Sequence, residues 1–255
     1  MPYLLVMENY DPLTVFGPQR AEAYDDHLRG DEEATVSFLE ELARGGPALE
    51  FAIGTGRIAL PLAARGTQVD GIESSPAMVA KLRSKPGAEE LNVAIGDMAS
   101  FRMERNYELV FLIYNTLFNI LTQEGQVSCF ENAAAHLTGG GAFVVEAFVP
   151  SYLYRLRSDQ YVDAESIAVD NVWLDVGRHD PVAQRLDESH IGITKGGIDL
   201  KPIVTRYAWP SELDLMARIA GLQLQDRWGG WEREPFTAAS TRHVSVYVRS
   251  STEVH

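Results

Sequence analysis

Leu49-Glu50-Phe51-Ala52-Ile53-Gly54-Thr55-Gly56-Arg57 is the stretch on which the fold turns. The short apolar run Ala48–Ile53 has the length of a buried strand, and a helical pattern follows from about Gly56 to Arg65. Between them, Gly54 and Gly56 can take backbone angles denied to residues with a Cβ, and they let a ligand come close to the main chain. A helix starting there presents unpaired N–H groups and the positive end of its dipole. Glu50 is the odd member, because an unpaired charge near a buried strand is costly. The segment predicts a strand–turn–helix unit that receives a ligand at its turn.

Outward from this unit the chain alternates. Towards the N-terminus, residues 18–44 pattern as two helical pieces, with Pro18 starting the first, Gly30 interrupting and Asp31 capping the second. Glu32 and Glu33 fall in the positive first turn, and Gly45-Gly46-Pro47 stops the piece. Towards the C-terminus come a strand at Thr67–Ile72, a helix at Pro76–Arg83, and strands at Leu91–Ile95 and Tyr107–Tyr114. A helix at Glu124–Leu137 ends on Gly139-Gly140-Gly141, and a fifth strand runs from Ala142 to Val149. Strands alternating with helices imply a parallel sheet covered on both faces.

The rhythm breaks at Pro150. Val169–Val176 and Ser189–Thr194 alternate with period two, and Lys195-Gly196-Gly197 supplies a turn, as expected of an antiparallel insertion. Trp209-Pro210-Ser211 then opens a helix to about Ala220 with Gly221 as its stop, followed by strands at Leu222–Trp228 and His243–Arg249. The expected layout is helices over 1–46, an α/β core over 47–150 and 207–255, and an insertion over 151–206.

Two ligands compete for the glycine turn. Gly54-Thr55-Gly56-Arg57-Ile58-Ala59 satisfies the dinucleotide pattern G-x-G-x-x-G/A, with Glu73 following Gly54 by 73 − 54 = 19 positions, which suits NAD and an oxidoreductase. Against it, Glu50 makes the pattern E-x-x-x-G-x-G, Gly96-Asp97-Met98 follows the third strand, and a terminal hairpin would add an antiparallel strand. Together these resemble class I methyltransferases that use S-adenosylmethionine (SAM), in particular the small-molecule subgroup of natural-product and amino-sugar pathways.

That resemblance implies a Rossmann-like seven-stranded sheet in the order 3-2-1-4-5-7-6 with the last strand antiparallel, and an antiparallel β insertion as lid. It implies SAM as cofactor. Glu50 would fix the loop and the methionine amino group, with Gly54, Thr55, Gly56 and Arg57 forming the turn. Glu73 would grip the ribose hydroxyls beside Ser74. Asp97 would take the adenine amine with Met98 against the ring, and Tyr114 and Asn115 would face the methyl donor from the loop after the fourth strand. Leu137–Gly141 is similar to the loop before the family's fifth strand. Ala21-Glu22-Ala23-Tyr24-Asp25 resembles the subgroup's N-terminal helix and places Tyr24 at the site's mouth. The amino-sugar enzymes carry a histidine where this chain has Asn119, which argues against an imidazole base.

The expected activity is methyl transfer to a nitrogen or oxygen of a small acceptor, driven by alignment, with Tyr24, Asn119 and Glu146 as candidate catalytic groups. A SAM or nucleoside sensor is the non-enzymatic alternative. A formal net charge of −14 excludes a phosphate-backbone partner. Met1–Tyr10 lacks a basic region and does not pattern as a signal peptide, and no apolar run approaches the roughly 20 residues of a membrane span. Cys129, the single cysteine, forms no intrachain disulfide, fits a cytoplasmic setting, and is expected in the core. His136 falls in the last turn of its helix, where a cation suits the dipole. No cluster of acids follows the fourth strand to hold magnesium and no His/Cys set has zinc spacing, so no metal is expected. Tyr152, Tyr154, Tyr161, Trp173, Arg155, Arg157 and Arg178 in the insertion suit walls around an organic acceptor; they are equally compatible with the insertion's own core or a homodimer contact.

Overall fold

The computed structural model describes Met7 and residues 10–26 and 29–249. Three N-terminal helices, α1 (Pro12–Val15), α2 (Pro18–Ala23) and α3 (Glu32–Ala43), precede β1 (Ala48–Phe51). Next come α4 (Ala59–Ala64), β2 (Val69–Glu73), α5 (Pro76–Arg83), β3 (Asn92–Ile95), β4 (Tyr107–Leu112), α6 (Gln123–His136) and β5 (Leu137–Phe148). Four strands follow without an intervening α-helix: β6 (Gln160–Ile167), β7 (Asn171–Asp180), β8 (Arg185–Thr194) and β9 (Gly197–Arg206). Helix α7 (Pro210–Ile219) leads to β10 (Leu222–Trp228) and β11 (Arg242–Arg249).

Seven strands form one sheet in the order β10-β11-β5-β4-β1-β2-β3, and β6-β7-β8-β9 form a second, antiparallel sheet. In the large sheet β11 alone runs against the parallel strands while also pairing antiparallel with β10. With β6–β9 set aside, this is the order expected from the resemblance. Every residue of β1 and of β2 is buried, as strands covered on both faces require. On one face Phe130 of α6 meets Phe143 and Tyr247 edge-on at 5.1 and 5.5 Å. On the other, Val36 and Leu39 of α3 pack with Leu62 of α4 and Phe111. Cys129 lies fully buried in the first of these layers.

Local chemistry sets the helix starts. Ser75 Oγ accepts the Met78 N–H at 3.2 Å ahead of Pro76, and Thr122 Oγ1 accepts the Gly125 N–H at 3.1 Å. Three sequence expectations need correction. Helix α4 begins at Ala59 rather than Gly56, because Gly54 and Gly56 both have positive φ and the chain is still turning. Gly139–Gly141 do not end the preceding helix as a loop; they lie inside β5, where the register shifts between Tyr107 and Leu109 and Gly140 takes φ +90°. Asp31 sits at the N-cap of α3 without a side-chain cap bond, since its carboxylate pairs with Arg242; Glu32 reaches back to the N–H groups of Arg29 and Gly30 instead.

The second sheet joins the first through a compact polar node. Tyr207, fully buried, shares its hydroxyl with His179 Nε2 at 2.7 Å and with Tyr154 Oη at 3.0 Å. Beside it Arg206 donates to Gln126 Oε1 and to Glu212 Oε1, both at 2.6 Å. No helix among the described residues is long and apolar enough to cross a membrane.

Candidate active site

A cavity of about 940 Å³ opens where the large sheet's C-terminal strand ends face the second sheet. Gly54 lines it at the end of β1, with φ +57°, and the preceding Ala52 also has positive φ. Glu73, at the end of β2, accepts the Gly54 N–H at 2.9 Å through Oε2 and the Ser75 N–H at 2.8 Å through Oε1. One carboxylate thereby ties the glycine turn to the next strand, and burial pushes its pKa up while those N–H groups pull it back.

Glu50 is buried beneath this turn, and among the described residues its Oε2 has no hydrogen-bond partner. Burial holds its pKa well above the ordinary carboxylate range; the Arg57 charge and the Ala59 N–H oppose the shift without cancelling it. Glu50 does not itself line the cavity, but an orphaned buried carboxylate oxygen is chemically suited to the positive amino group of an amino-acid tail.

Farther along the cavity wall stand Ser74, Asp97, Met98, Tyr114 and Asn115, with Tyr24 above them. Asp97 Oδ1 accepts the Ala99 N–H at 2.9 Å, which fixes the loop after β3. Tyr114 and Asn115 both take left-handed backbone angles at the end of β4. Asn115 Oδ1 accepts the Phe148 N–H at 2.6 Å, whereas the buried Tyr114 hydroxyl has no partner among the described residues. Arg57 lines an adjoining cavity, its guanidinium 4.3 Å from the Tyr114 ring centroid and 5.2 Å from that of Tyr24.

Thr55 and Gly56 shape the turn but do not line the cavity. Thr55 Oγ1 donates to Asp25 Oδ1 at 2.6 Å. A Cβ on Gly56 would meet Leu82 at 3.1 Å and Leu60 at 3.2 Å, so this glycine is required by the packing behind the turn, not by ligand approach.

Of the catalytic candidates, Tyr24 and Asn119 line the cavity. Glu146 instead forms a two-pronged pair with Arg29 at 2.8 and 3.1 Å and accepts the Tyr114 N–H at 2.9 Å. It braces the loop after β4 and the N-terminal segment together. His136 is held neutral rather than cationic: its Nε2 accepts the Met103 N–H, which leaves Nδ1 to donate to Asn132 O, and burial lowers its pKa. His243, in the core against Ser245, is pushed down to about 3 by burial. His179 belongs to the polar node at Tyr207, which leaves His190 as the described histidine that faces the cavity.

Sequence reasoning missed several groups. Phe16, Arg20 and Met78 line the cavity from the N-terminal segment and α5. Ser75 Oγ donates to Phe16 O at 2.6 Å, Lys81 pairs with Glu22 at 2.6 Å, and Lys85 with Asp25 at 2.6 Å, so the segment is strapped across the glycine turn. Nothing in the local pattern announces those long-range pairs. Glu188 was legible in principle, because its spacing of two from His190, itself a weak candidate base in the sequence, puts both on one face of β8. Glu165, Asp175 and His190 also bring one possible ligand atom each within 4.8 Å of one another, a grouping assembled from three strands that no local spacing reveals.

The chain has clear relatives. It is 39% identical to the CcbJ methyltransferase from Streptomyces caelestis, over 93% of this chain and 98% of that one, with a TM-score of 0.87. It is a class I SAM-dependent methyltransferase. Residues 48–141 match the family described as a methyltransferase domain. The methyltransferase also shares 26% identity with a cypemycin N-terminal methyltransferase from a Streptomyces species, across 80% of this chain and 84% of that protein. Its fold is that of SAM-bound CalS10, an amino pentose methyltransferase from Micromonospora echinaspora, with a TM-score of 0.67, 21% identity, and coverage of 90% and 95%. In this methyltransferase the nicotinamide and sensor readings of the glycine turn fall away. SAM is the cofactor, and the chemistry of the unpartnered Glu50 oxygen and of the cavity-lining Gly54 turn suits its amino-acid tail.

Proposed function

We propose that the methyltransferase acts on a nitrogen or oxygen of a small, natural-product-type acceptor, without a metal and mainly by alignment. The observation that carries this reading is that one cavity is lined on one side by Gly54, Glu73, Asp97 and Asn115 and on the other by Tyr152, Glu188, His190 and Thr205. Its volume lies at the upper end of the roughly 300–1,000 Å³ typical of ligand pockets, room for a cofactor and an acceptor together. The relatives named above, one for a peptide N-terminus and one for an amino pentose, support an acceptor of this class.

SAM supplies a methyl group already activated on a sulfonium sulfur. The protein's task is to bind, orient and exclude water. Glu50 would hold the amino group, with Arg57 near the carboxylate end, Glu73 and Ser74 at the ribose, and Asp97 and Met98 at the adenine. Thr55 and Gly56 would keep the turn in shape. Tyr24, Tyr114, Asn115 and Asn119 would border the transferring methyl, with Glu146 bracing that border. Holding two reactants in attack geometry contributes roughly 7–11 kcal/mol, so a strong base is not required. The Glu165–Asp175–His190 group belongs to the lid, and His190 already pairs with Asp175, so no Lewis-acid role is assigned to it.

Calorimetry with SAM and NAD tests the cofactor half, and turnover on a panel of small amines and alcohols with and without EDTA tests the rest. We expect micromolar SAM binding, no NAD binding and EDTA-resistant turnover. NAD binding without SAM binding, or activity lost to EDTA and restored by magnesium, would overturn it.

A further inference from the structure

The wall of the cavity opposite the glycine turn carries a carboxylate that forms no ion pair with a lysine or arginine among the described residues. Glu188 sits in the middle of β8, half-buried and facing the cavity. Three other acids of low exposure have guanidinium partners: Glu146 with Arg29, Asp187 with Arg185, Glu212 with Arg206. Glu188 has a phenol instead, the Tyr161 hydroxyl donating to its Oε1.

That contact is built into the sheet. Tyr161 of β6, Gly177 of β7 and Glu188 of β8 stand in one row across the strands. The Tyr161 ring reaches Glu188 by lying over Gly177, where an added Cβ would collide with the ring. A glycine in the middle of a strand is unfavourable in itself, and here it makes way for the ring that orients the carboxylate.

The surroundings are short of positive charge. His190, two residues along β8, acts on Glu188 when protonated, but it is paired with Asp175 and lies 3.8 Å from Glu165. Lys201 of β9, opposite His190, sits over the Trp173 ring at 4.5 Å and 3.6 Å from Asp199. Tyr152, from the turn after β5, completes the wall and is uncharged. Burial raises the Glu188 pKa, as does nearby Asp175, while Tyr161 and His190 lower it. A desolvated carboxylate without a counter-ion is costly, and a ligand that brings the missing cation relieves the cost.

We propose that Glu188, oriented by Tyr161 across Gly177, is the specificity-determining and proton-accepting carboxylate for an acceptor that enters as a protonated amine. This rests on the methyl-transfer reading above and narrows it from nitrogen or oxygen to nitrogen. Glu188 Oε2 receives the ammonium. One N–H bond breaks, its proton forms an O–H bond on Glu188, and the freed electron pair stays on nitrogen as the nucleophile. The proton then leaves Glu188 for solvent, so no further co-reactant is needed.

The test uses the full chain loaded with S-adenosylhomocysteine, and benzylamine and benzyl alcohol as matched probes in calorimetry. In the parent protein benzylamine should bind at least tenfold more tightly than benzyl alcohol. Glu188→Gln should remove that preference by weakening the amine alone, with alcohol and S-adenosylhomocysteine affinities unchanged. Gly177→Ala, which leaves the carboxylate in place but displaces the Tyr161 ring, should weaken the amine severalfold. Equal binding of the two probes, binding of neither, or a Glu188→Gln protein that keeps the amine preference would each overturn the proposal. Failure of S-adenosylhomocysteine to bind the parent protein would instead overturn the cofactor reading on which it rests.

Discussion

Glu50→Gln should both weaken cofactor binding and abolish the proton release that accompanies it. Glu50 is only 4% exposed, its Oε2 is unpartnered, and burial raises its pKa well above the ordinary range. Before the cofactor binds, the folded protein therefore holds a proton on Glu50 at pH values where the unfolded chain has lost it. The sign follows from linkage: the native state binds more protons than the unfolded state across that window, so stability falls as pH rises from the ordinary carboxylate pKa towards the raised one. A cationic amino group beside Oε2 favours the ionised form and expels the proton. A hydrogen bond to a charged group contributes about 1.5–3 kcal/mol, so the amide should weaken SAM roughly 10- to 100-fold. Calorimetry in two buffers of different ionisation enthalpy reads the proton count directly. The parent protein should release up to about one proton per SAM at pH values between the ordinary carboxylate pKa and the raised one, and Glu50→Gln none. Proton release that persists unchanged in the variant, or unaltered affinity, would refute the assignment of Glu50 to the amino group.

Two further outcomes are expected. Gly56→Val should lower stability as well as SAM affinity, because its Cβ would press on Leu82 and Leu60 and its φ is +77°; a strained backbone position of this kind costs on the order of 1–3 kcal/mol, read as a shifted urea midpoint, and an unshifted midpoint would place the glycine's role elsewhere. His243, held neutral with its pKa near 3, contributes stability that is present above its unfolded pKa of about 6.5 and is lost as pH falls towards 3, so His243→Gln should flatten the acid limb of a stability–pH profile; an unchanged limb would assign the acid sensitivity to other groups.

The cofactor half of the molecule was legible in the sequence because its signals are local. The strand–glycine–helix run, the acid that ends β2 and the Gly96-Asp97-Met98 turn each lie within a few residues, and their order along the chain sets the sheet order. The register shift that draws Gly139–Gly141 into β5 was not legible, because pairing with β4 overrides what three glycines suggest alone. Glu146 showed the limit for single residues: its partner Arg29 lies 117 positions away, and only the fold brings the two together. The acceptor wall was the least legible part. Period two over Ser189–Thr194 marked a strand, but where that strand begins and which of its faces meets the cavity depended on how Tyr207 and Arg206 dock the second sheet onto α6 and α7.

The two walls of the cavity come from separate pieces of chain. Cofactor-side groups sit on loops at the edge of the seven-stranded sheet, while Glu188, His190, Ile203 and Thr205 sit on the contiguous run β6–β9. The docking node at Tyr207, His179, Arg206, Gln126 and Glu212 is distinct from the positions that face the acceptor. In evolutionary terms the reaction and its clientele are written in different passages. A lineage can rewrite one contiguous passage, keep the few residues that seat it, and present the same methyl donor to a new molecule.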